Sequence, residues 1–408
     1  MTESGRLPGT LPILIGAAVM MTLTMGLRQS LGIFMQPAVQ DIAITISEFT
    51  LAIAVQNLLW GLFQPFAGAA AVRWGYRPIM LGGAAAYAAG LFMLAGADGL
   101  VMVIVGAGLC IGIGMACASV AMAMSVTAQS VSAARRSTML GVMSAAGSIG
   151  TLIAAPIGQL LQEGDGWRVG VLGFAVLALL ILPAAWFAGR VDKAAPIASV
   201  TGAADGLNAW AAVGLSFRHG PFMVMAAAYF VCGMQLIFLT THLPAYLELC
   251  GMDPMLGATA LGTIGGFNVL GSLFFGWAGG RWNKRLLLGG IYVLRSGVLA
   301  WYFLAWPTPE TTILFAAMMG FLWLGVSPLV AGLVVEMFGL RWQAMIQGLA
   351  FMSHQVGSFL GAFGGGWLFD RMGSYDLALQ IGVGIGLAAG IVQMLSSVSG
   401  PAGLARPA

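Results

Sequence analysis

The sequence predicts an all-α, polytopic membrane protein of twelve crossing helices, arranged as two six-helix bundles. Three observations predict it. The 408 residues are 59% hydrophobic and 8% charged, with a mean hydropathy of +0.93. A soluble globular chain carries about 25% charged residues, and one water-soluble core could not hide this much apolar surface. Apolar stretches long enough to cross a hydrocarbon layer about 30 Å thick recur along the whole chain. The second half of the chain also repeats the first at an offset near 207.

The elements follow in order. Stretch 11–37 is too long for a signal peptide and lacks a cleavage site, so it is read as span 1. It carries Arg28 and ends at Pro37. Stretch 47–72 is span 2, with Gln56, Trp60 and Gln64 at i, i+4 and i+8 on one helical face. Stretches 78–97 and 99–127 are spans 3 and 4, the latter containing the Met-rich "MACASVAMAMSV". Stretches 138–162 and 168–189 close the first bundle. A polar segment with Asp192, Lys193 and Asp205 follows, giving an N-terminal bundle 1–190, a linker 191–218 and a C-terminal bundle 219–408. Spans 7 to 12 are 221–248, 255–280, 286–305, 311–336, 343–369 and 376–397.

Three anchors fix the repeat. "RWGYR" at 73–77 matches "RWNKR" at 281–285, "QPA" at 36–38 matches "LPA" at 243–245, and "GVMSAAGSIG" at 141–150 matches "GLAFMSHQVG" at 348–357. Two parallel six-span halves with a site between them is a layout of secondary transporters.

Basic residues give the orientation. Both termini share one face with 13 of the 17 Lys+Arg, among them Arg6, Arg73, Arg77, Arg135, Arg136, Arg281, Arg285, Arg341 and Arg406. Asp41, Glu163, Asp165, Asp253, Glu310, Asp370 and Asp376 gather on the other. The basic face is therefore expected in the cytoplasm, with the protein in the cell's inner membrane. The net charge of +3 is a topology signal, and no nucleic-acid partner is expected.

The four cysteines lack metal-ligand spacing, the three histidines are scattered, and "GTIGG" at 262–266 lacks the strand context of a nucleotide loop. Neither an enzyme nor a cofactor or metal is expected, and the expected unit is a monomer.

The layout and the loop "GAAAVRWGYR" resemble the major facilitator superfamily. Val72 stands where that family usually has an aspartate. Within it, "GLRQSLGIFMQP" at 26–37, "GATALGTIGGFNVLGSLFFGWAGG" at 257–280 and "FGLRWQAMIQGL" at 338–349 resemble the monocarboxylate transporter group and its bacterial relatives. The resemblance implies alternating access about a central cavity lined by the first spans. It also implies an arginine in span 8 with an aspartate one turn earlier, where this chain has Ser272 and Asn268.

Candidate site residues are the polar groups inside the spans, because a charge at mid-membrane costs at least about 2.5–3.5 kcal/mol and normally faces a cavity or a partner. Arg28 is either a planar fork for a substrate carboxylate or a structural group bonded to Gln56. Gln235, its repeat-mate, is expected opposite it across the cavity. Arg295 is a second possible anion ligand, or a brace behind Asn268 or Gln355. His354 and Gln355 have Gly147 and Ser148 as repeat-mates, so scaffold symmetry does not require them. An unperturbed imidazole, with a pKa near 6.5, suits a proton switch, though burial would lower it, and no acid occupies the centre of any span. If transport is coupled to a proton, that proton travels on His354 or on the substrate. Arg73, Arg77, Arg281 and Arg285 are expected at one gate and His242 at the other. The reading is a secondary transporter of a small organic anion, a monocarboxylate; the rival is efflux of hydrophobic or zwitterionic compounds.

Overall fold

The computed structural model describes residues 10–193, 204, 206–304 and 307–397. Arg6, Asp205 and Arg406, three of the charges used above, lie outside the described residues. Spans 1 to 6 are Thr10–Asp41, Glu48–Trp74, Tyr76–Ala95, Leu100–Ser130, Ala133–Asp165 and Trp167–Lys193. Spans 7 to 12 are Gly220–Leu249, Pro254–Ala278, Lys284–Leu304, Pro309–Phe338, Gln343–Met372 and Asp376–Leu395. Among the described residues, eleven helices are long and apolar enough to cross a membrane by length and composition, and span 11 is not among them. Its apolar run is diluted by Gln343, Gln347, Ser353, His354, Gln355 and Ser358.

The turn from span 2 to span 3 needs Gly75, whose φ is +94°. The first amides of span 3 then point at Asp192, at the end of span 6. Its Oδ1 accepts from the Tyr76 N–H at 2.7 Å and its Oδ2 from the Arg77 N–H at 2.9 Å. A carboxylate at a helix N-terminus satisfies orphan donors and complements the helix dipole. The resemblance placed an aspartate at Val72; here the carboxylate at this turn comes from Asp192.

Spans 4 and 10 are interrupted inside the membrane. Span 4 carries a π-helical segment at Ile104–Cys110 and breaks again at Ser119, where φ is −121° and ψ −144°. Span 10 is two helices, Pro309–Phe321 and Val326–Phe338, joined by a turn. Each interruption frees backbone carbonyls, which hydrocarbon cannot satisfy. Polar side chains from neighbouring spans must reach them.

Candidate functional site

A chain of polar side chains joins the two halves. Arg28 on span 1 donates from Nε to Gln56 Oε1 at 3.0 Å, and from a terminal nitrogen to Asn57 Oδ1. Gln355 on span 11 donates to the Asn57 carbonyl at 3.0 Å and lies 3.4 Å from its Oδ1. His354 Nδ1 is 3.2 Å from Gln355 Oε1 and 3.4 Å from Ser358 Oγ. An aromatic wall runs between the same two ends. The Arg28 guanidinium sits 5.0 Å from the centroid of Trp60, whose ring packs on Phe351 at 4.6 Å. Phe351 stacks on His354 at 5.5 Å, and Tyr229 packs on His354 at 4.7 Å and on Phe351 at 6.3 Å. Arg28 and His354 therefore stand at the two ends of one set of contacts that crosses between the halves, through amides along one path and rings along the other.

The helices close below this site. A Cβ at Gly61 would lie 2.8 Å from the side chain of Gln355, and one at Gly348 would lie 2.8 Å from the Pro65 nitrogen. A Cβ at Gly68 would run into the Met345 backbone. Spans 5 and 8 meet at Gly141 and Gly276, and one turn further Ser144 and Ser272 hydroxyls pair at 3.0 Å. All these approaches lie at or on the basic-face side of Gln355. Phe359 and Phe363, one and two turns beyond Gln355, are exposed, as is Thr50, two turns before Asn57. The site is thus sealed toward the basic face.

The remaining polar residues fall elsewhere. Gln56 is fully buried, accepts from Arg28 and donates to the Ala107 carbonyl of the π-helical segment at 2.6 Å. Gln64 donates to the Ala116 carbonyl before the Ser119 break at 2.8 Å and accepts from Trp60 at 3.1 Å. The Gln56–Trp60–Gln64 face therefore fastens span 2 to the interrupted span 4, and Gln56 acts on the site by holding Arg28.

Asn268 and Arg295 do the corresponding work at the break in span 10. Asn268 Oδ1 accepts from the Leu324 N–H at 2.9 Å. Arg295, with no exposed surface, donates to the Leu322 carbonyl at 2.6 Å, the Trp323 carbonyl at 3.1 Å and Cys232 Sγ at 3.1 Å. Ser144 of the other half also reaches the Leu324 carbonyl, at 3.3 Å. Arg295 and Asn268 brace the same break from two spans, and neither is brought to Arg28.

Gln235 is turned into its own bundle, donating to Ser296 Oγ at 3.2 Å and the Gly382 carbonyl at 2.9 Å. His242 lies between the Ala362 carbonyl at 3.0 Å and the Tyr375 hydroxyl at 3.3 Å, which ties spans 7 and 11 and the start of span 12. Arg73, Arg77 and Arg281 lie over Trp74, Trp186 and Trp277 on the basic face. Arg285 donates to the Ser396 carbonyl, and neighbouring Lys284 pairs with Glu336. Sequence reasoning missed Asn57, Phe351 and Tyr229. The signal for Asn57 was its place beside Gln56: successive helix positions face different neighbours, here span 4 for one and span 11 for the other.

A family model described as Major Facilitator Superfamily matches residues 14–362. The chain belongs to this superfamily. Monocarboxylate transporter 13 of Rattus norvegicus is 25% identical over 376 residues, covering 90% of this chain and 84% of the relative. An uncharacterized MFS-type transporter of Bacillus subtilis, YcxA, is 24% identical over 375 residues, covering 87% of each. The solved structure of the superfamily transporter FucP in the outward conformation superposes with a TM-score of 0.74 at 15% identity, covering 94% of this chain and 98% of that one. As a member of the Major Facilitator Superfamily, the chain is a multi-pass membrane transporter of twelve helices for a small molecule.

Proposed function

We propose that this transporter moves a small organic anion, a monocarboxylate, by alternating access, with Arg28 as the anchor for the carboxylate. One observation carries the reading. Arg28 lies beside the Asn57–Gln355 contact between the halves, its partners Gln56, Asn57 and Trp60 are all neutral, and among the described residues it makes no ion pair. A guanidinium set in protein without a counter-ion favours an anionic guest. One cation beside the Trp60 and Phe351 rings suits a single carboxylate on an apolar body. The name of the Rattus norvegicus relative agrees with that class. The Ser272 hydroxyl, where the resembling group has an arginine, is engaged with Ser144, which leaves the anion to Arg28.

The geometry also supplies a trigger. A carboxylate taking the fork of Arg28 competes with Asn57 Oδ1, the same oxygen that lies near Gln355 of the other half. Binding so frees Asn57 Oδ1 to accept from Gln355 alone, which strengthens a contact between the halves. The basic-residue bias supports a cytoplasmic sealed face, in an inner membrane with both termini inside. The N- and C-terminal bundles, divided at the 191–218 linker, rock about the site.

The test is competition. Monocarboxylates should displace one another from the purified protein in calorimetry, while their methyl esters should not. Binding of esters, amines or neutral drugs with no effect of carboxylates would move the reading to efflux of hydrophobic compounds. His354→Gln tests coupling separately. It keeps a hydrogen-bonding side chain beside Gln355 and Ser358 but fixes its charge at zero. Transport driven by a pH gradient should lose its pH dependence, and anion exchange at constant pH should persist. An unchanged pH profile would make His354 a core residue.

A further inference from the structure

Span 11 carries a polar stripe that runs from the contacts around His354 to the basic face. Gln343, Gln347, His354 and Ser358 fall within an arc of about 60° on this helix. Gln343 lies about 16 Å nearer the basic face than His354 does.

Other contacts of the helix fix where the stripe points. Gly348 and Gln355 face span 2: a Cβ at Gly348 would lie 2.8 Å from the Pro65 nitrogen, and one at Gly61 would lie 2.8 Å from the Gln355 side chain. Gly357 and Gly361 face the span 7 backbone. Val356, Leu360 and Phe363 are exposed on the flank that hydrocarbon covers. The stripe lies between the span 2 and span 7 contacts and opposite the exposed flank, so it points into the protein. Toward its basic end, span 11 packs against Val120–Ser130 of span 4 and Val326–Phe338 of span 10.

That end is shut over groups without partners. Gln343 has no exposed surface, and neither its Oε1 nor its Nε2 makes a hydrogen bond. Gln347 is 2% exposed, with its Oε1 unpaired. Thr127, in the span 4 segment, is fully buried with its hydroxyl unpaired. Gln56, Gln64, Asn268 and Arg295, equally deep, each hold a backbone group. An unmet polar atom in dry packing shifts an equilibrium by roughly 5- to 150-fold toward any state that supplies it a partner.

We propose that Gln343 and Gln347 line the passage from the Arg28–His354 region to the basic face, shut in this structure, and that their unmet amides favour its opening. Opening parts span 11 from span 4 of the other half. Water or the passing anion then meets the amides, whose N–H groups donate to a carboxylate. The inference rests on the alternating-access reading, and not on Arg28 as the anchor.

The test is thiol labelling of the full-length transporter in vesicles that present the basic face outward. The probe is the membrane-impermeant anion sulfonatoethyl methanethiosulfonate, read above the labelling of the parent chain with its native cysteines. Ser144→Cys, at the closed contact of spans 5 and 8, reports opening of this face independently of either glutamine. Gln343→Cys and Gln347→Cys should react as Ser144→Cys does, and faster than Val356→Cys on the lipid flank. Gln343→Met and Gln347→Met keep the side chain's length and remove the amide. Each should slow the reaction of Ser144→Cys by about fivefold or more. Glutamine-site cysteines as unreactive as Val356→Cys, beside a reactive Ser144→Cys, would overturn the proposal. So would Met variants that leave the Ser144→Cys rate unchanged. If Ser144→Cys and both glutamine-site cysteines stay unreactive, the face does not open, and the alternating-access reading falls together with the proposal.

Discussion

Arg28→Gln is expected to weaken binding of a monocarboxylate by about 2–4 kcal/mol, roughly 30- to 1,000-fold. The cause is the loss of a charge-assisted, two-pronged contact in a site sealed on one face by the approach of spans 2 and 11. Arg28→Lys keeps the charge and loses the fork, so its loss should be smaller, on the order of tenfold. Glutamine can still bond to Gln56 and Asn57, so the fold should persist. Calorimetry on folded, monodisperse protein measures the effect. If Arg28→Gln binds an identified carboxylate as tightly as the wild type, Arg28 is a clamp on span 2 and the anion reading fails.

The second large effect is on stability. Arg295→Met should destabilise the protein by several kcal/mol, because each carbonyl left bare at the span 10 break costs about 1–3 kcal/mol and two lose their donor. The buried charge has no acid beside it among the described residues. It is balanced by the carbonyl end of the Pro309–Phe321 helix, where the helix dipole favours a cation. Thermal unfolding in detergent should show the loss, with Arg295→Lys intermediate. Carboxylate affinity of the surviving folded fraction should stay near that of the wild type. An affinity loss at unchanged stability would instead make Arg295 a substrate ligand.

Much of this protein was legible in the sequence. Hydrophobic stretches gave the twelve spans to within a few residues, because burial in lipid must be encoded locally in every crossing helix. The offset between halves gave the two-bundle fold, and the superfamily match agrees with it. The depth of Arg28, His354 and Gln355 was also readable by counting along each helix. What a side chain at a given depth touches was not. Gln56, Gln64, Asn268 and Arg295 are as polar and as deep as the central residues, yet they satisfy carbonyls freed where spans 4 and 10 lose their helical bonding. Those interruptions leave little trace in composition, so their partners look like ligands in a one-dimensional reading. Gln235 and Arg28 occupy matching repeat positions, but one turns into its own bundle and the other toward span 2. Asn57 becomes the bridge to Gln355 because span 11 approaches closely over Gly61, a contact between residues nearly 300 apart in the chain. Local hydrophobicity determines that a helix crosses the membrane and at what depth each residue lies. Rotation about the helix axis, and so whether a polar group meets a cavity or a broken backbone, is decided by packing between helices, and only the tertiary structure contains it.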